Sequence, residues 1–143
     1  MEINFSRGDL LAGQPIPPNW YKGSIVKEEL RKRDNVLDYI ITLDFEDPLL
    51  AQDERTVEHV FFNFVKGKGF LIVLMAALLN RNVKEITDGM EKGEKFPFQF
   101  GEGQNVGKKV QFELFNDPYE GRLLNKIRTF IPYSMDPPTM PLS

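Results

Sequence analysis

The sequence predicts a mainly β chain of five strands, with a helix between the third and the fourth. Three observations carry that prediction. Several segments alternate apolar and polar residues with a period of two, Gly, Pro, Asn and Asp clusters break the chain between them, and a single all-apolar run, Phe70 to Leu79, lies near its middle. At 143 residues with 41% apolar content, the chain suits one domain with a proper core.

Residues 1–19 carry Gly8, Gly13, Pro15, Pro17 and Pro18 and read as an irregular arm crossing the domain surface. The first strand begins at Trp20 and runs through Tyr21, Lys22, Ile25 and Val26 towards Leu30. Arg31-Lys32-Arg33-Asp34-Asn35 follows as a charged turn. The second strand, Val36 to Phe45, sets Leu37, Tyr39, Ile41, Leu43 and Phe45 on one face and Asp38, Thr42 and Asp44 on the other. A polar connection from Glu46 to Thr56 leads to the third strand, Val57 to Val65. There Val60, Phe62 and Phe64 are expected inward, and His59, Phe61 and Asn63 outward.

Lys66-Gly67-Lys68-Gly69 ends the third strand. The run Phe70 to Leu79 contains strong helix formers, and Asn80-Arg81-Asn82 makes a suitable exit, so a helix covered on both sides is expected. Val83 to Met90 reads as a second short helix and Glu91 to Asn105 as a glycine-bearing loop. Val106 to Asn116 and Arg122 to Tyr133 form the last two strands, joined by the Asp117-Pro118-Tyr119-Glu120-Gly121 turn. Residues 134–143, with Pro137, Pro138 and Pro141, make a flexible tail, which leaves 20–133 as the domain proper. Strand, strand, strand, helix, strand, strand is the order of the five-stranded OB-type barrel, in which the helix plugs one end.

Several short stretches resemble the single-stranded DNA-binding proteins of bacteriophages, compact OB-fold replication proteins. They are Trp20-Tyr21-Lys22-Gly23, the basic Arg31-Lys32-Arg33 before an alternating strand, the helical stretch Gly69 to Asn80, Gly107-Lys108-Lys109-Val110, Tyr119-Glu120-Gly121-Arg122 and Asn125-Lys126-Ile127. The likeness spans about Trp20 to Tyr133 and implies sequence-independent binding of single-stranded DNA in phage DNA replication and recombination. One feature departs from the many bacterial-type single-strand binders that end in an acidic, partner-recruiting tail. The last residues here, Met135 to Ser143, hold one acid, Asp136.

Single-strand binding without sequence preference needs cations that follow phosphates and aromatic faces on which bases stack. The resemblance implies a path across the second and third strands, flanked by the loops of the two hairpins. The candidates are Arg31, Lys32 and Arg33 in the first hairpin, and Lys108, Lys109, Tyr119, Arg122, Lys126 and Arg128 around the last. By parity Lys126 and Arg128 share a face with Arg122 and Phe130, which interleaves bases with an aromatic. Phe61, expected outward, is the stacking candidate of the third strand. Each has a plainer reading. The basic triplet can be a solvated turn, the basic strand face can protect a sheet edge, and Phe61 can be covered by the arm or by a second copy of the chain. Asp38 and Asp44 on the outward face oppose a phosphate path.

The net charge of −3 means that nucleic-acid affinity must come from a local basic patch. The lack of cysteine removes disulfides, thiolate metal sites and cysteine nucleophiles. The lone histidine, His59, sits among apolar residues, and the carboxylates of Glu28-Glu29, Asp44 to Asp47 and Asp53-Glu54 are spaced as in ordinary loops. Nothing assembles a nucleophile, a base and an oxyanion site, so no enzyme, cofactor or metal is expected. The N-terminal stretch lacks a signal-peptide core, and the longest apolar run is shorter than the roughly 18 residues of a membrane span, so the cytoplasm of an infected host cell is the expected location. The expected partners are single-stranded DNA and, for oligomerisation, other copies of the chain; no membrane is expected. The alternatives are a protein-interaction module or a structural or regulatory phage protein without nucleic-acid binding, and a metal-dependent nuclease built on the acidic groups.

Overall fold

The computed structural model describes residues 15–52, 54–94, 99, 101 and 103–138. Most of the N-terminal arm, the end of the tail, part of the 91–105 loop and the Arg122 side chain lie outside the described residues.

The longest strand organises the sheet. β1 (Asn19–Arg33) pairs antiparallel with β4 (Lys109–Tyr119) over its first part and with β2 (Val36–Phe45) over its second. β3 (Thr56–Phe61) adds to β2 and β5 (Arg122–Ile131) adds to β4, giving one antiparallel sheet in the order β3-β2-β1-β4-β5. The sheet is not closed by hydrogen bonds between β3 and β5. Gly23 sits where β1 passes from one partner to the other, opposite both Phe45 and Val110. A Cβ there would lie 1.9 Å from the Asp44 carbonyl oxygen, so only glycine lets the two strands approach so closely.

Both hairpin turns are shorter than expected. β1 continues to Arg33, and the turn is only Asp34-Asn35, with Asp34 at φ 49° in the left-handed region that Asp tolerates. Arg31, Lys32 and Arg33 are therefore strand residues, not a turn. β4 continues through Asp117, Pro118 and Tyr119, and Glu120-Gly121, both at positive φ, make the tight turn. Pro118 is tolerated because the pairing of β4 with β1 ends at Leu114, so one flank of β4 needs no donor at that point.

Two bulges reset the alternation. In β1 the register skips Val26 between Ile25↔Leu43 and Lys27↔Thr42. Tyr21, Gly23 and Ile25 face inward before it, and Glu28 and Leu30 after it. In β5 the register skips Arg128 between Ile127↔Leu114 and Thr129↔Glu113, so Ile127 and Phe130 both face the core. This corrects the expected shared face of Lys126, Arg128 and Phe130: the two cations are exposed, while Phe130 is 3% exposed and paired with Phe112.

β3 presents the opposite face from that expected. Val57, His59 and Phe61 oppose Leu43, Ile41 and Tyr39, which β2 turns inward. Phe61 is 5% exposed and Phe62 is 63% exposed, the reverse of the expectation. The strand also stops at Phe61, and Phe62 to Lys66 form a turn in which the Phe64 N–H donates to the Leu37 carbonyl at 3.2 Å.

Helix α1 (Pro48–Gln52) lies within the connection read as merely polar. α2 (Gly69–Leu79) forms where the apolar run predicts it and ends at Asn80, at φ 54°. It has no polar face; Leu71, Ile72, Leu74, Met75, Ala76 and Ala77 are all buried, mainly against β5 and β4 on one side and α3 (Val83–Glu91) on the other. Asn82 caps α3 by accepting from the Lys84 N–H at 2.8 Å. The core joins these helical residues to Ile25, Tyr39, Ile41, Leu43, Phe45, Val110, Phe112, Leu114 and Ile127.

Aromatic rings fill the space between the two sheet edges. His59 lies 5.0 Å from Phe70 and 6.0 Å from Phe130, and Phe61 lies 6.3 Å from Phe130. Burial among these rings lowers the His59 pKa from 6.5 to about 4. A polar network sits deeper. The Tyr39 hydroxyl and the Asn105 side-chain and backbone N–H groups donate to the buried Glu28 carboxylate, joining β1, β2 and the loop before β4. Burial and the Glu28 charge push the Tyr39 phenol well above its usual value.

The described segments before β1 and after β5 pack against the sheet. The Ile16 N–H and carbonyl both bond the Asn125 amide at 2.8 Å, as a neighbouring strand would. After β5 the chain turns back over the outer face of β4, where Gln111 donates to the Met135 carbonyl at 2.7 Å. The Tyr133 ring lies 5.0 Å from the Lys22 ammonium and 5.2 Å from that of Lys109.

Candidate nucleic-acid interface

The outer face of β1, β2 and β3 is built as cross-strand rows. Register sets Lys27, Thr42 and Glu58 in one row, Glu29, Ile40 and Val60 in the next, and Arg31 opposite Asp38 in the third. Phe62 continues the outer parity of Glu58 and Val60 beyond the strand end.

Asp38 anchors the third row. Its carboxylate is completely buried beneath two guanidinium groups. Arg31 donates from Nε and Nη2 to Oδ2 at 3.2 and 2.9 Å, and Arg33 donates from Nε to Oδ2 and from Nη2 to Oδ1, the latter at 3.1 Å. The Asn63 N–H donates to Oδ1 at 2.9 Å, which ties in the turn after β3. The Arg33 hydrogen bonds hold the Asp38 carboxyl well below the usual carboxylate range; burial opposes them, and Asn63 and Arg31 assist. The expected outward acid is therefore no free repulsive charge. Two guanidinium groups thus share this one carboxylate, and Arg33 also feels the charge of Asp34.

The same clamp orients an aromatic. The Arg33 guanidinium carbon lies 5.6 Å from the centroid of the exposed Phe62 ring. An open groove of about 800 Å³ is lined by Val26, Lys27, Glu29, Arg31, Ile40 and Glu58 among others. A smaller hollow of about 370 Å³ lies near Asn35, Leu37, Asn63 and Lys66; Lys32, which the alternation turns away from Arg31 and Arg33, lines both it and the groove.

The remaining candidates are dispersed and mostly paired with acids. Lys126 bridges to Asp117 at 2.7 Å, and Arg128 lies 4.0 Å from Glu113 and 4.8 Å from the Phe115 ring. Lys109 is 3.7 Å from Glu46, and Lys108 precedes it with its carbonyl accepting from the Ile25 N–H. Tyr119 is 54% exposed at the tip of the last hairpin. Phe61 and Phe130 are core residues and offer no stacking surface. The structure thus brings Arg31 and Arg33 together with Phe62, an aromatic that parity reasoning had turned inward. The only sequence signal for Phe62 was the consecutive pair Phe61-Phe62, one of which must face out of a strand.

Among the described residues, no group of three or more His, Asp or Glu side chains is placed to hold a metal ion. Among those residues, no helix is long and apolar enough to cross a membrane. No protein-family profile and no curated protein sequence matches the chain.

Proposed function

We propose that this chain is an OB-type protein that binds single-stranded nucleic acid without reading a defined sequence, in the manner of the phage replication and recombination proteins its motifs resemble. The observation that carries this reading is the Arg31–Arg33–Phe62 platform on the open face of β1, β2 and β3. It joins the two elements such binding needs, fixed cations and an exposed ring, on one surface. The strand order supports the OB reading, since a first strand shared between two partners and a helix after the third strand are features of that fold. The ring contacts between β3 and β5 fit a barrel whose last seam is packed by side chains rather than hydrogen bonds.

Fluorescence anisotropy with a single-stranded oligonucleotide and its duplex tests the proposal. The single strand should bind much more tightly, because only unpaired bases can reach Phe62. Equal affinity for both, or none for either, overturns it.

A second reading has its own observation. Tyr119, Leu123 and Leu124 leave large apolar groups exposed around the tip of the β4–β5 hairpin, which suits a protein-interaction module. No binding of single strands, with self-association abolished by Leu123→Asp, would favour that reading.

A further inference from the structure

The open groove holds a charge that the single-strand reading leaves unused. Glu58 is exposed on β3, and its side chain makes no hydrogen bond or ion pair with another described residue. Glu29 differs, because Lys27 bridges it at 3.1 Å. The groove is therefore polarised across its width. Lys27, Arg31 and Lys32 line the β1 side together with Glu29, Ile40 of β2 makes the middle apolar, and the Glu58 carboxylate, unpaired among the described residues, closes the β3 side.

Two strand spacings, about 9–10 Å, separate the β1 side from the β3 side. A phosphate is attracted to one side and repelled by the other, which orients a nucleotide laid across the rows. Arg31 and Arg33 each spend only part of their five N–H donors on Asp38, so donors remain for phosphate oxygens. With its backbone on β1, a strand turns its bases over Ile40 of β2 towards Glu58. A carboxylate there accepts from the exocyclic amino group of cytosine, whereas the O4 carbonyl of uracil or thymine brings acceptor against acceptor.

We propose that a bound single strand runs along β1 with its phosphates on Lys27, Arg31 and Arg33, and that Glu58 selects bases bearing an exocyclic amino group. This rests on the single-strand reading and adds an orientation and a compositional preference to it.

Oligo-dC and oligo-dU of equal length differ at this group without the thymine methyl, so they make the direct comparison. Anisotropy at neutral pH should show oligo-dC binding wild type at least about fivefold tighter, the low end of one specific base contact. Glu58→Gln should bring the two affinities together by weakening oligo-dC, with an unchanged melting temperature because the side chain is exposed and unpaired. Equal affinities in the wild type overturn the inference and leave single-strand binding standing. A Glu58→Gln variant that binds both oligonucleotides more tightly and equally also overturns it, because the backbone then crosses β3. Binding of neither oligonucleotide removes the single-strand reading as well.

Discussion

Asp38 and His59 show that burial disfavours charge on both groups and that polar partners decide which of them keeps it. Asp38 keeps its charge because two guanidinium groups and a backbone N–H replace water; His59, among aromatic rings, has no such partner among the described residues and stays neutral. Both consequences appear on acidification, in different windows. For His59, whose folded pKa is depressed to about 4, the unfolded chain takes up a proton first, so stability falls as pH drops from 6.5 to about 4. For Asp38, also depressed, stability is present above the usual carboxylate range and is lost as pH falls below it. Denaturant titrations across pH should show a slope above pH 4 that His59→Gln removes, and a further slope below it that Asp38→Asn removes. Neighbouring phenylalanines should separate as sharply. Phe61→Ala should cost about 3–5 kcal/mol of stability. Phe62→Ala should leave melting unchanged and weaken oligo-dT binding by about 1–3 kcal/mol. Calorimetry on both variants, followed by anisotropy on the folded one, checks the pair.

Element boundaries rest on close contacts that a single methyl group can upset. At Gly23, any β-carbon collides with the Asp44 backbone, and a carbonyl held in a ladder cannot move aside as a flexible side chain would. Gly23→Ala should therefore destabilise by at least about 1–3 kcal/mol, the usual cost of overpacking, and urea unfolding measures it. A Gly23→Ala variant of wild-type stability would show that β1 does not pass so close to β2. Helix α2 makes the complementary case. With no polar face it is stable only when covered, and Leu74 is fully buried. Leu74→Ala should cost about 2–5 kcal/mol through the cavity it leaves, again read from the unfolding midpoint.

Across the whole molecule, the distribution of charge matters more than its total. The net charge is −3, yet Asp117 and Glu113 of β4 bridge Lys126 and Arg128, while Arg31 and Arg33 share a single carboxylate. The salt dependence of binding should reflect this. Arg31→Gln, with Arg33 left to hold Asp38, should weaken single-strand binding and flatten the slope of log affinity against log salt by about 0.7. Lys126→Gln combined with Arg128→Gln should leave the slope near that of wild type. Salt titrations of both variants by anisotropy decide the matter, and a larger loss in the second would move the interface to the last hairpin.

Local pattern was enough for some of this. The alternation from Val36 to Phe45 defined both the limits and the inner face of β2, and the all-apolar run defined α2, because each signal lies within one element and covers its whole length. The candidate site was half legible: Arg31 and Arg33 stood out as a basic cluster, but Phe62 and the buried state of Asp38 did not. Thr56 to Phe64 carries apolar groups at both parities, so its facing was decided only when Phe61 came opposite Tyr39 in the ladder. The two bulges inverted the parity of β1 and β5 midway, and no residue type announced them. The acid that looked like an obstacle to phosphate became a clamp because two guanidinium groups and a distant backbone N–H converged on it. A period of two is a property of one strand. Register, bulges and the pairing of buried charge are properties of several strands together, and only the assembled sheet determines them.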